Sequence, residues 1–309
     1  MPKSMTDISP PTWKTRGMRW LRPVQPLIDT VELWLKVDGL RMSAAMTFYG
    51  LLSLSPLVLL IVGLLGWWLD RDTVENTLLA QATAIMGERG ASVVQGALNS
   101  AQQPSEGKLA SLFALVLLMS GATGVFVELQ NAMDKLWQYG SDEPAATKTA
   151  WWKLAVLRLR GLAYVMIVGF LLLVSMVLSA AIRMFTQLAE SWLNLAPPSE
   201  LILLLNETVS FGITVLLFLG LMRIGTGRKP PLRYLLAGAV LGATLFSIAK
   251  QALAWYLANA AVVSAYGAAG SIVVVLMWIY VTSAILLLAA SSAKALDLRA
   301  AATSHPTDL

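Results

Sequence analysis

Apolar residues in this chain fall into long blocks separated by short polar stretches, and the block lengths predict helices that cross a membrane. The first block runs from Ala44 to Leu69 and ends in Trp67 and Trp68 just ahead of Asp70, as an aromatic belt at a membrane face does. Pro56, between Ser53 and Ser55 on one side and leucines on the other, is expected to kink it. A second block starts near Leu109 and continues through Gly121-Ala122-Thr123-Gly124 to about Val127, and a third runs from Gly161 to Ile182. The fourth and fifth, Leu201 to Met222 and Leu235 to Ala260, flank a short basic turn, and the sixth is Ala268 to Ala290.

Two segments follow a different pattern. Residues 70–108 are polar with apolar residues at helical spacing (Val74, Leu78, Ile85; Val93, Val94, Leu98), which predicts one or two surface helices rather than a span. In Leu27 to Leu40, Leu27, Val31, Trp34 and Leu35 share one face while Asp29, Glu32 and Lys36 lie on another. That pattern suits a helix lying at a membrane interface and equally an amphipathic helix packed on protein. The expected fold class is all-α, a polytopic membrane helical bundle with six transmembrane helices over residues 43–290, with 70–108 as a periplasmic helical loop. Residues 1–42 form a cytoplasmic amino-terminal segment with the amphipathic helix, and 291–309 a cytoplasmic tail.

Charge placement gives the orientation. Six spans return both termini to one side, and 18 of the 23 Lys and Arg fall in the amino-terminal segment, residues 128–160, the turn from Arg223 to Arg233, and the tail. Only Arg71, Arg89, Lys108 and Arg183 lie in the opposite segments. The asymmetry places both termini and the basic turn in the cytoplasm. Composition agrees: 57% of residues are hydrophobic and 13% charged, against a usual charged share of about 25%. The net charge of +5 is then explained by topology, and no nucleic-acid partner is expected. The absence of cysteine excludes disulfides and thiolate chemistry. The one histidine, His305, sits in the polar tail, and the sequence contains neither a Walker motif nor a metal-binding cluster. No catalytic residue, metal or cofactor is therefore expected. The first forty residues are polar and carry five prolines, with no apolar run before Met42, so no cleaved signal peptide is expected.

Ionisable residues inside spans narrow the search for a site, because a charge at the bilayer centre costs about 2.5 to 3.5 kcal/mol on insertion scales. Asn206 and Glu207 lie among leucines on the fourth block, and Lys250 lies between Ile248 and Leu253 on the fifth. At 1.5 Å per residue Glu207 lies about 9 Å, and Lys250 about 10 Å, from the outer face. Their equal depth on adjacent antiparallel limbs predicts a pair, structural or functional. Thr123 and Ser53 are further polar candidates for a cavity wall, although satisfying backbone near Pro56 is an alternative role for Ser53. Gly121 and Gly124, Gly238 and Gly242, and Gly267 and Gly270 read first as close-packing positions.

Three stretches resemble one family. Ser43-Ala-Ala-Met-Thr-Phe-Tyr-Gly-Leu-Leu-Ser-Leu-Ser-Pro56, Gly121-Ala-Thr-Gly-Val-Phe-Val-Glu-Leu-Gln-Asn-Ala-Met-Asp-Lys-Leu-Trp137 and Ala265-Tyr-Gly-Ala-Ala-Gly-Ser-Ile-Val-Val-Val-Leu-Met-Trp-Ile-Tyr280 are similar to signature segments of the YihY/BrkB family. The resemblance implies a six-helix protein of the bacterial inner membrane, of a family without an established general activity. The ribonuclease BN label once attached to that family is not carried over. Where the family closes its last helix with Gly-Ala-Glu, this chain reads Ala289-Ala290-Ser291, so a mechanism needing that acid does not transfer. The expected function is a transporter or exporter of a small molecule or lipid, with a polar site in the outer half of the bundle. The alternatives are a non-catalytic membrane organiser that binds lipids or partner proteins, and, less favoured, a ribonuclease. The lipid bilayer is the expected partner, and a homo-oligomer stays open.

Overall fold

A computed structural model describes residues 25–65, 70–102, 124–140, 199–223, 229–259 and 269–304. Helix α1 (Gln25–Lys36) carries Pro26 in its first turn, where the missing N–H is no loss, and the ion pair Lys36–Glu32 at 2.7 Å one turn apart. It stops at Asp38, whose φ of 61° is left-handed. Helix α2 (Gly39–Leu65) restarts at once, because a Cβ at Gly39 would overlap the Trp34 indole. Its 27 residues continue through Pro56. The hydroxyls of Ser43, Thr47 and Ser53 donate to the carbonyls of Gly39, Ser43 and Gly50 within α2.

Helix α3 (Arg71–Gln102) breaks at Gly87, where φ is 75° and ψ 176°. It is a hairpin of two helices. Its buried residues Val74, Ala82, Ala91, Val94 and Leu98 form a seam that closes on Val58 and Val62 of α2. The segment is thus the expected pair of surface helices: of the apolar residues named from spacing, Val74, Val94 and Leu98 are buried in this seam and Leu78 packs against it, while the opposite face is exposed. Residues 124–138 form α4, followed by α5 (Ser199–Met222), α6 (Leu232–Asn259) and α7 (Gly270–Ser304). No strand occurs among the described residues.

Helix α7 is the hub, packed on α1, α2, α3 and α6. Gly50 of α2 abuts Ile279, and Met42 and Met46 share a core with Ile285 to Ala295, so α2 and α7 run antiparallel. Glycine sets the approach of α6. A Cβ at Gly238 would lie 2.5 Å from the Ala289 carbonyl oxygen, and one at Gly242 would lie 2.8 Å from Ala289 Cβ and 2.6 Å from Phe218 of α5. The largest core joins these contacts to Leu33, Val37, Met133, Leu136 and Trp137 around residues 285–295 of α7. The segment after Ala290 is thus part of the last helix, which stays buried through Ala295.

Among the described residues, Leu232–Tyr256 and Gly270–Ala302 are long and apolar enough to cross a membrane, and Glu207–Met222 is a shorter apolar helix. The expected third span lies outside the described residues, as does the second up to residue 123.

Candidate functional site

Helices α5 and α6 form the hairpin that carries the expected polar pair. Contacts of Met222 with Gly238 and of Phe218 with Gly242 fix an antiparallel register, which places Glu207 opposite Leu253 and Lys250 opposite Ser210. The two charges are therefore within about one helical turn of each other in height. They do not meet: among the described residues no ion pair or hydrogen bond joins Glu207 to Lys250. The reason lies in how α5 is covered. Glu207 precedes Phe218 by eleven residues, just over three turns, so both lie on the same face. Phe218 is buried against α6, whereas Glu207 is exposed, as are Thr208 and Ser210 beside it. The hairpin is closed at the end near Met222 and Gly238 and open at the end that carries Glu207.

Lys250 faces the bundle. It lies between Phe246 and Leu253 on one stripe of α6, and both neighbours pack on the buried pair Val274 and Trp278 of α7. The rings of Phe218, Phe246 and Trp278 form a column, with centroids 6.2 and 5.7 Å apart. Met86, at the tip of the α3 hairpin, packs on the same Val274 and Trp278. Trp278 is eight residues into α7, so the tip reaches about 12 Å below the start of that helix. The exposed Glu88 and Arg89 follow directly after Gly87. A third element thus brings charge to the level of Lys250, and the sequence reading missed it because the segment was assigned to the surface.

The other candidates are placed as follows. Asn206 lies in α5, with its side chain outside the described residues, as are Thr123, Gly121 and Gly267. Ser53 is buried and its hydroxyl donates to its own helix at 2.9 Å. Gly124 sits against the Tyr49 ring, Gly238 and Gly242 against α7, and Gly270 is buried at the start of α7. Among the described residues no three His, Asp or Glu side chains are grouped to hold a metal ion.

A second polar cluster gathers at the opposite end. Lys294 is buried, and its Nζ donates at 3.0 Å to the carbonyl of Trp137 in the last turn of α4. That carbonyl has no partner within its own helix, so a cation from α7 caps the negative end of α4. The indole N–H groups of Trp34 and Trp137 are buried nearby without acceptors. Arg299 pairs with Asp29 of α1 at 2.7 Å, and Lys135 of α4 with Asp38 at 2.7 Å. Lys135, and then Arg41, hold the Asp38 carboxyl below its ordinary range, and Glu32 raises Lys36. Helical spacing from Leu287 through Ser291 to Lys294 continues past Ala290, the one sequence signal for this burial.

Comparison with known proteins follows the same outline. The family described as Virulence factor BrkB matches residues 30–308. A UPF0761 membrane protein of Methylibium petroleiphilum is 25% identical over 88% of this chain, which spans 65% of that relative's length, just under two thirds. A UPF0761 membrane protein of Pseudoalteromonas atlantica is 23% identical, over 90% of this chain and 88% of its own. A Bacillus subtilis protein with a ribonuclease-like name is 24% identical, over 81% of this chain and 87% of its own. No solved structure matches. With a match over nearly its whole length and long apolar helices at its centre, the chain belongs to the BrkB family of membrane proteins.

Proposed function

We propose that this chain is a six-span protein of the bacterial inner membrane, with both termini cytoplasmic, that moves a small molecule or lipid through a polar vestibule in the outer half of its bundle. The observation that supports this is the face of α5, buried at Phe218 and open at Glu207, with Lys250 facing the same level. The α3 hairpin adds to it. Gln81, Thr83, Glu88, Arg89, Ser92 and Gln95 are exposed on a segment whose tip packs on Trp278, and polar groups at that depth are stable only against water or protein. The sequence has no nucleotide-binding motif, so movement is passive, ion-coupled or driven by a partner. A ribonuclease role is not favoured, because this chain lacks the clustered His, Asp and Glu that metal-dependent hydrolysis uses.

The absence of cysteine makes the test direct, since each introduced thiol is alone. In intact spheroplasts an impermeant maleimide should label Ser105→Cys, Thr83→Cys and Ser92→Cys, and should label Ser141→Cys only after permeabilisation. Labelling of Ser141→Cys from outside would overturn the orientation. Protection of Thr83→Cys and Ser92→Cys while Ser105→Cys reacts would overturn the vestibule.

A further inference from the structure

Resting on that vestibule, we propose that its ligand is an anionic amphiphile, its charged group held by Lys250 and its apolar part lying along the Phe246 and Trp278 wall. Lys250 makes no hydrogen bond or ion pair among the described residues, and the described acids placed nearest its level, Glu207 and Glu88, stay exposed and do not reach it. An ammonium on a packed face at this depth, with three donors and no acceptor, is complementary to an anion brought from outside. The exposed apolar stripe of α6 runs through Ile248 and Trp255, and Lys250 is two residues, about 200°, round the helix from Ile248. What lies beside it is apolar: Phe246 and Leu253 on its own helix, and Val274, Trp278 and Met86 around them. A small hydrated anion gains nothing from that wall, whereas an alkyl or aryl chain attached to the anion buries against it. The exposed polar side chains of the α3 hairpin, Glu88 and Arg89 among them, suit a hydrated headgroup at the same level.

The test uses the full-length protein in maltoside micelles, with dodecyl phosphate as the anionic amphiphile, dodecylphosphocholine as the zwitterion and inorganic phosphate as the free anion. Binding is read by isothermal titration and by the shift in Tm. Dodecyl phosphate should bind saturably, at least tenfold more tightly than either control. Lys250→Met should weaken it by about 10- to 100-fold, the worth of a hydrogen bond to a charged group, and Lys250→Arg should retain it. Without ligand, Lys250→Met should have a Tm equal to or above that of the parent, because no partner is left behind. Equal binding of dodecylphosphocholine or inorganic phosphate would overturn the proposal, and so would unchanged binding by Lys250→Met. A fall in the ligand-free Tm of Lys250→Met would assign Lys250 to a structural pair and overturn it too. Labelling of Thr83→Cys and Ser92→Cys from outside is independent of these outcomes, so the vestibule can stand while the ligand class fails.

Discussion

Gly238→Ala tests the packing on which the site depends. The added methyl would lie 2.5 Å from the Ala289 carbonyl oxygen, 3.1 Å from Ala293 Cβ and 3.2 Å from Met222 Cε. The methionine can move, but the carbonyl belongs to the backbone of α7 and cannot turn away. Restoring an ordinary 3.4 Å contact requires α6 and α7 to separate by about 0.9 Å. A gap of 0.5 to 1 Å forfeits about a quarter to a half of the dispersion well for every atom pair along the seam, and overpacked cores lose about 1 to 3 kcal/mol. Alanine returns up to about 1 kcal/mol in helix propensity, so the net loss is about 1 to 2 kcal/mol. Gly212 on α5 is the matched control: a Cβ there has no atom within 4 Å, so Gly212→Ala keeps only the propensity gain. Thermal unfolding in dodecyl maltoside, followed by size-exclusion recovery, should rank Gly212→Ala at or above the parent and Gly238→Ala clearly below it. Equal stability of the two variants would refute glycine-dependent contact between α6 and α7.

Two further predictions concern the end of the bundle that carries Asp38 and Lys294. Lys294→Met keeps the length of the side chain but leaves the Trp137 carbonyl without its donor, and should lower stability by about 1 to 3 kcal/mol in the same unfolding assay; an unchanged midpoint would show that α4 needs no cap from α7. Asp38→Asn keeps a residue that tolerates the left-handed φ of 61° and removes only the charge shared with Lys135 and Arg41. The Asp38 pKa is depressed, so its contribution is complete above the ordinary value of 3.8 and is lost as pH falls below it. The stability difference between parent and Asp38→Asn should therefore be constant from pH 7 to pH 5 and close below pH 3.8; a difference that vanishes already at pH 6 would implicate another group.

Much of the helical layout is legible from apolar block length. The blocks ending at Met222 and starting near Leu235 and Ala268 fall within a few residues of α5, α6 and α7, because a stretch that must satisfy its backbone in lipid has no alternative to helix. Relative height along the hairpin was legible to within about a turn, since it follows from counting residues. Separation across the hairpin was not. Glu207 and Lys250 share a level, but the close approach enforced by Gly238 and Gly242 does not extend to the outer end, and no residue count contains that information. The packed face of α3 was legible from the spacing of Val74, Leu78, Val94 and Leu98, but the contact of Met86 with Val274 and Trp278 was not, because helical phase within a segment says nothing about which helix its tip meets. Lys294 was obscured by the positive-inside count, which assigns each cation to a loop and passes over helical phase beyond the end of a span.

These features divide α7 into two halves with different attachments. From Ala289 to Arg299 it is held by glycine-mediated contact with α6, by the Lys294 link to α4 and by the Arg299 pair with α1, all drawing on the largest core. Above Trp278 it is covered by the tip of α3 through Met86, and by Phe246 and Leu253 of α6, a smaller apolar contact bordered by exposed polar side chains. Local opening is cheapest where buried apolar contact is least, so it is expected at the Val274 end of α7 rather than around residues 285–295, with Gly87 in the left-handed region available as a hinge. An opening of that kind exposes Lys250 without breaking a hydrogen bond or an ion pair to any described residue, because among these it has none.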